Sequence, residues 1–141
     1  SLTFRNAFTP IANNIKSNPD NPQHFIDFLD LVSPKRKRND KIDLLAVQRL
    51  QQRPFGFANA LSAVSEYAKN LDEPRLQYLL KELPPGLGII GGLSSPGLLQ
   101  AQQKIKQAQP AWHIETIPRV DHSLVYIRPK AVAQLLNQYL L

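Results

Sequence analysis

Apolar positions fall into two textures along the chain. From residue 22 to 83 they recur at helical spacing, and from 84 onward short apolar runs alternate with helical stretches. In PQHFIDFLDLV, 22–32, Phe25, Phe28, Leu29 and Val32 stand at i, i+3, i+4 and i+7, one face of a helix. Pro22 suits a first helical position after Asn21 as cap. A second helix is predicted over about 39–52, capped by Asn39 or Asp40, with Leu44, Val47 and Leu50 aligned. A third spans about 56–70 with Phe57, Leu61, Val64 and Ala68 on one side, and a fourth about 73–82 aligns Leu76, Leu79, Leu80 and then Leu83. SPKRKRND and RPFG interrupt the series. Ahead of it, residues 1–20 read as an extended N-terminal segment: a strand-like piece from Leu2 to Phe8, a helical turn opened by Pro10, and the loop SNPDNP.

Pro84-Pro85 marks the change of texture. GLGIIGG, 86–92, is an unbroken apolar run between turn residues, which predicts a strand buried on both faces, as in a parallel sheet. A loop, LSS, leads to a helix from about Pro96 to Gln107 carrying a weak stripe of Leu98, Gln102, Ile105 and Gln109. AWHIETIP, 111–118, alternates as a second strand; a loop with His122 follows, then a helix over 129–141 with Val132, Leu135, Leu136 and Tyr139 on its buried face. A helix joining two strands calls for a parallel crossover. The predicted fold class is therefore α/β: a helical region over 21–83, then a strand–helix–strand–helix unit of a parallel sheet over 84–141. Two strands alone make a poor sheet, so this unit wants further neighbours.

Bulk composition narrows the class. The 141 residues suffice for one domain with a real core, and no apolar stretch approaches the roughly 20 residues of a membrane span. The absence of cysteine removes disulfides, thiolate metal sites and cysteine nucleophiles, and fits a reducing, cytoplasmic compartment. The absence of methionine, even at position 1, predicts a piece of a longer polypeptide, whose N-terminal portion or another chain would be a partner. Of 17 basic residues, four stand together as Lys35, Arg36, Lys37 and Arg38; the other 13 face 11 acidic residues, so the net charge of +6 is largely local. This run is a candidate anion contact, for nucleic acid or anionic lipid, or a localisation signal, or alternatively a solvated loop between two helices. It has no interleaved aromatic residue, so base stacking is not suggested.

Candidate chemistry is sparse. Ser94 and Ser95 follow a strand and precede a helix, but GGLSSPG lacks the spacing of a nucleophile elbow, and an N-cap ahead of Pro96 accounts for a serine there. GLGIIGG has no Lys-Ser/Thr ending and is not a phosphate loop. His24 reads as a solvated residue in a first helical turn. His113 and Glu115 share a strand face, two groups where a metal wants three or four; neither a metal nor a cofactor is predicted. Trp112 and Tyr126 read as packing residues. That leaves His122, in the loop after the second strand.

LKELPPGLGIIGGLSSPG and AWHIETIPRVDHSLVYIRPKAVAQLLNQYL together resemble the C-terminal end of the α/β-hydrolase superfamily. DHSLVYIRPKAVAQLLNQYL is similar to the family's histidine loop and last helix, a GHS or GHN followed by xPxxVxxxLxxFL. The resemblance covers roughly 75–141 by pattern and 20–75 by architecture. It implies a partial α/β-hydrolase fold in which the helices of 22–82 are a lid and His122 is the general base. It implies acyl transfer from an ester, thioester or other small acyl compound to a serine, then to water. Three features depart from the family: no G-x-S-x-G occurs, no carboxylate lies between Gly91 and Gly97, and Asp121 stands where a small residue is usual. The first places the nucleophile upstream. The second leaves two alternatives, an acid after an earlier strand or a hydrolase-like chain without catalysis. The competing expectation is a non-catalytic basic helical module that binds a protein or an acidic polymer.

Overall fold

A computed structural model describes residues 6–36 and 38–140, with the backbone alone at 140. The chain divides into two compact units, Ser1–Asp72 and Glu73–Leu141. The structure mixes helix and strand, and among the described residues both strands lie in the second unit.

Among the described residues the first unit holds four helices: α1 (Phe8–Ser17), α2 (Gln23–Val32), α3 (Asp40–Gln51) and α4 (Pro54–Asn70). The expected extended segment over 1–20 is not what forms at 8–17; Phe8, Ile11, Ala12 and Ile15 instead give α1 an apolar face, and Ile11, Ala12 and Ile15 are buried. Residues 1–5 lie outside the described residues. Ile11, Ala12, Ile15, Phe25, Val47, Ala58 and Leu61 make one core, drawn from all four helices. Phe57 joins it by an edge-on contact with Phe28, centroids 4.9 Å apart, and by stacking on Phe25 at 6.0 Å. Asn39 caps α3 as the sequence suggests, accepting from the N–H groups of Lys41 and Ile42, whereas RPFG, expected as a break, opens α4 with Pro54 in its first turn.

The second unit begins with α5 (Glu73–Lys81), which belongs with the strands rather than with the four helices before it. After it come β1 (Leu87–Gly91), α6 (Pro96–Ala108), β2 (His113–Ile117), the single turn α7 (Leu124–Ile127) and α8 (Pro129–Leu140). The strands pair parallel, Leu87 opposite His113 through Gly91 opposite Ile117, so both end at the same level. Glycine lets side chains lie over β1: a Cβ at Gly88 would fall 2.3 Å from Oε1 of Gln102 and 2.9 Å from Nε1 of Trp112. Those two side chains hydrogen-bond to each other there, Nε1 donating to Oε1 over 3.3 Å. Gln109 reaches back to donate to the carbonyl of Leu83. Ile117, Val120 and Leu124 are buried together, with Ile127, Val132 and Leu135 packed on them, so the histidine loop and α8 share one small core.

Candidate functional site

His122 is placed by its neighbours. Val120 and Leu124 are both about 95% buried and serve as apolar anchors on either side of it. Between them the chain rises out of the core, and His122 is exposed at its crest. Leu93 N–H donates to the carbonyl of Val120 and Gly92 N–H to that of Ile117, each over 2.9 Å, which ties the loop after β1 to the loop after β2. The approach is close enough to require glycine at the end of β1: a Cβ at Gly91 would stand 2.2 Å from the carbonyl oxygen of Asp121 and 2.4 Å from that of Val120. Arg119 takes φ 59°, left-handed backbone at a non-glycine residue, where the chain turns out of β2. The loop that carries His122 thus stands at the C-terminal end of two parallel strands, where open α/β sheets place their ligand sites.

Asp121 does not orient His122. Its carboxylate turns inward, and Oδ1 accepts from the N–H of Ser123 at 3.0 Å and its hydroxyl at 2.6 Å. That local turn sets up α7, whose first N–H, at Leu124, reaches the carbonyl of Asp121. The residue is only 2% exposed, and Oδ2 is buried with no hydrogen-bond partner among the described residues. A carboxylate oxygen stripped of water and left bare is costly, so Oδ2 is an acceptor open to a donor that the described residues do not supply. Nor does His122 have a hydrogen-bond partner among the described residues, which supply neither a nucleophile nor an orienting acid beside it. The Asp-x-Ser spacing was the available sequence signal for the inward turn.

The remaining candidates separate. Ser95, not Ser94, caps α6, accepting from the N–H of Leu98 at 3.4 Å. Ser94 is buried, and its hydroxyl lacks a hydrogen-bond partner among the described residues. His113 and Glu115 are both claimed by Tyr139 of α8: the His113 ring lies 5.3 Å from the tyrosine ring, and Glu115 accepts the tyrosine hydroxyl's hydrogen bond at 2.5 Å. That hydrogen bond, with lesser help from desolvation, raises the Tyr139 pKa. Among the described residues no group of three or more His, Cys, Asp or Glu is arranged to hold a metal. A groove of about 540 Å³ between α6 and the sheet is lined by Ile90, Leu99, Gln103, Ile114 and Thr116, and His122 takes no part in it.

The basic run does not present four free cations. Lys35 and Arg38 are exposed, and Lys37 lies outside the described residues. Arg36 turns inward, its side chain 7% exposed, and pairs with Asp30 of α2 and Asp43 of α3. Desolvation disfavours the buried guanidinium, but its hydrogen bonds and attraction to the two carboxylates outweigh this and raise its pKa. Arg38 adds an exposed contact with Asp30 at 2.9 Å. So Arg36 is a staple between α2 and α3.

Comparison of the chain with protein-family models, curated proteins and solved structures returns no match. None of the helices among the described residues is long and apolar enough to cross a membrane.

Proposed function

We propose that residues 73–141 are the closing strand–helix–strand unit of an α/β-hydrolase-like protein, with His122 as the general base. The substrate class is an ester, thioester or other small acyl compound. The observation that carries the reading is the exposed His122, held at the shared C-terminal end of two parallel strands by buried neighbours and a backbone clamp.

The chemistry assigned to His122 is proton movement. A serine from the upstream part of the natural polypeptide attacks the acyl carbon as the imidazole takes its proton. The imidazolium then gives that proton to the leaving alcohol or thiol as the acyl–oxygen or acyl–sulfur bond breaks. In the second half, water attacks the acyl-serine, the imidazole takes the water's proton, and the serine oxygen recovers it as the acid departs. An exposed imidazole with no hydrogen-bond partner among the described residues is free to be oriented by an acid from the same upstream part.

The test is covalent labelling of the natural polypeptide that contains these residues with a fluorophosphonate probe for activated serines. Labelling is expected, and His122→Ala is expected to slow it by about a thousandfold or more. His24→Ala, a histidine on α2, is expected to leave it unchanged. Absence of labelling in the unmodified polypeptide, or labelling that survives His122→Ala, would overturn the assignment.

A further inference from the structure

Val125 and Tyr126 share the histidine's side of its turn. The chain coils from Asp121 to Arg128: Leu124 N–H donates to the carbonyl of Asp121 at 3.2 Å, Tyr126 N–H to that of Ser123 at 2.9 Å, and Arg128 N–H to that of Leu124 at 2.8 Å. Ser123, at φ -75° and ψ 10°, carries the coil back to His122. Along such a coil, side chains three and four residues apart are neighbours, with Cβ atoms about 5–6 Å apart. Asp121, Leu124 and Ile127 take the inward side and are buried or half-buried. His122, Val125 and Tyr126 take the outward side, and all three are exposed. Tyr126, expected to pack, is 67% exposed, and Val125 is 58% exposed. Neither belongs to the small core that holds the loop in place.

We infer that Val125 and Tyr126 form an apolar wall beside the reacting bond, and that the acyl compound carries an aliphatic or aromatic group that lies on this wall. The inference rests on the role proposed for His122 and narrows the substrate class. In that role the imidazole stands within hydrogen-bond reach, about 2.6–3.2 Å, of the attacking serine oxygen. Side chains one turn away from His122 therefore border the groups attached to the acyl carbon. A branched aliphatic side chain and an aromatic ring gain by covering apolar surface there, and the ring adds a flat face for stacking. A protein surface laid over Val125 and Tyr126 would close over His122 as well, which the proposed role requires open; a small substrate enters through the same opening. The apolar group belongs either to the acyl side or to the alcohol or thiol side of the bond.

The experiment is labelling of the natural polypeptide by three fluorophosphonates: one with methyl and ethoxy groups on phosphorus, one with octyl and ethoxy, and one with methyl and octyloxy. In each, the serine oxygen bonds to phosphorus, fluoride leaves, and the serine proton passes to His122. The octyl group stands for the acyl side of the bond and the octyloxy group for the alcohol side. A buried methylene is worth about fourfold, so an open wall that covers about two of the added ones makes a long probe label about tenfold faster than the short one. The faster long probe names the side that lies on the wall. Val125→Thr with Tyr126→Ser is expected to bring the long-to-short ratio down to about one, and Tyr126→Phe, which keeps the ring, to preserve it. Val64→Thr with Tyr67→Ser, exposed residues of α4, is expected to leave the ratio unchanged. All four positions are exposed, so the circular dichroism of each variant should match the parent's. Three results overturn the inference and leave the assignment of His122 standing: equal labelling of the unmodified polypeptide by all three probes; a ratio that survives Val125→Thr with Tyr126→Ser, even where all three rates fall together; or a ratio lost to the same extent in the Val64/Tyr67 variant. Absence of labelling by every probe overturns both.

Discussion

Arg36→Ala probes the joint between α2 and α3. The guanidinium donates through Nε and Nη2 to the two oxygens of Asp43, at 3.5 and 3.2 Å, and through Nη1 to Asp30. Removing one partner from a fully buried ion pair costs about 3–5 kcal/mol, because the other charge is left buried and unpaired. Here the arginine side chain is 7% exposed, but Asp43 and Asp30 keep 20% and 35%, so water recovers part of the loss. Discounted for that access, the expected destabilisation is about 2 kcal/mol, read by urea unfolding followed by circular dichroism. Arg36→Lys should recover less than half of it, since a single ammonium cannot meet Asp43 side-on and Asp30 together. Asp43→Asn added to Arg36→Ala should cost less than the sum of the two singles, because the second change removes a charge that the first stranded. A loss under about 0.5 kcal/mol for Arg36→Ala would refute the reasoning and mark the cluster as ordinary surface pairing.

Three other perturbations test separate joints. Gly91→Ala should destabilise the second unit by about 1–3 kcal/mol by pushing a methyl group into the carbonyls of Val120 and Asp121; Trp112 fluorescence during urea unfolding reads it, and an unchanged midpoint would deny the close approach. Asn39→Ala should cost about 1 kcal/mol in the same measurement by circular dichroism, because two N–H groups at the start of α3 lose their acceptor. Tyr139 should titrate above the ordinary 10.0 by phenolate absorbance, and Glu115→Gln should bring it back toward that value. The sign follows: a raised tyrosine pKa means this contact stabilises fully below pH 10.0 and is lost as pH rises through the folded-state value.

Helix positions were legible because burying one face imposes a period. The observed Gln23–Val32, Asp40–Gln51 and Glu73–Lys81 lie within a residue of the predicted spans. β1 was legible as an unbroken apolar run between turn residues and β2 by its alternation, and their parallel pairing followed from the helix between them. Where the reading failed, a local rule met a tertiary decision. Leu44 and Val64 belong to the expected apolar faces yet are exposed by more than half, because the helices rotate to bring Val47, Ala58 and Leu61 to the core. Leu2–Phe8 read as extended from its composition, whereas Phe8 to Ser17 is helical because its apolar residues meet α4. The expected boundary at 83/84 followed Pro84-Pro85, but Gln109 bonding to Leu83 and the contacts of α5 with α6 bind that helix to the sheet. The histidine was legible as a candidate; the inward turn of Asp121 had only the Asp-x-Ser spacing as its signal. Whether a carboxylate faces solvent or its own backbone depends on the packing of Val120 and Leu124, residues that look unremarkable in sequence.

That inward turn bears on what His122 is able to do. Were Asp121 turned outward, two titratable side chains would share the crest of the loop and a solvent-facing ion pair would suffice to explain both. With Asp121 spent on Ser123 and the start of α7, the crest presents an imidazole alone. A loop that buries an acid and leaves one carboxylate oxygen bare is an expensive way to display a surface histidine. On the proposed reading, the cost makes sense if the geometry at 122 matters and if Oδ2 gains a donor from the upstream part that the reading invokes. Asp121→Asn separates the two uses of that carboxylate: the amide oxygen still accepts from Ser123, so the loop should hold, whereas a donor drawn to the bare oxygen by its charge would be lost. In the natural polypeptide, therefore, Asp121→Asn should weaken serine labelling while Trp112 fluorescence unfolding stays within about 1 kcal/mol of the parent. Loss of both together would reduce Asp121 to a loop-building residue, and loss of neither would leave its buried charge without a purpose.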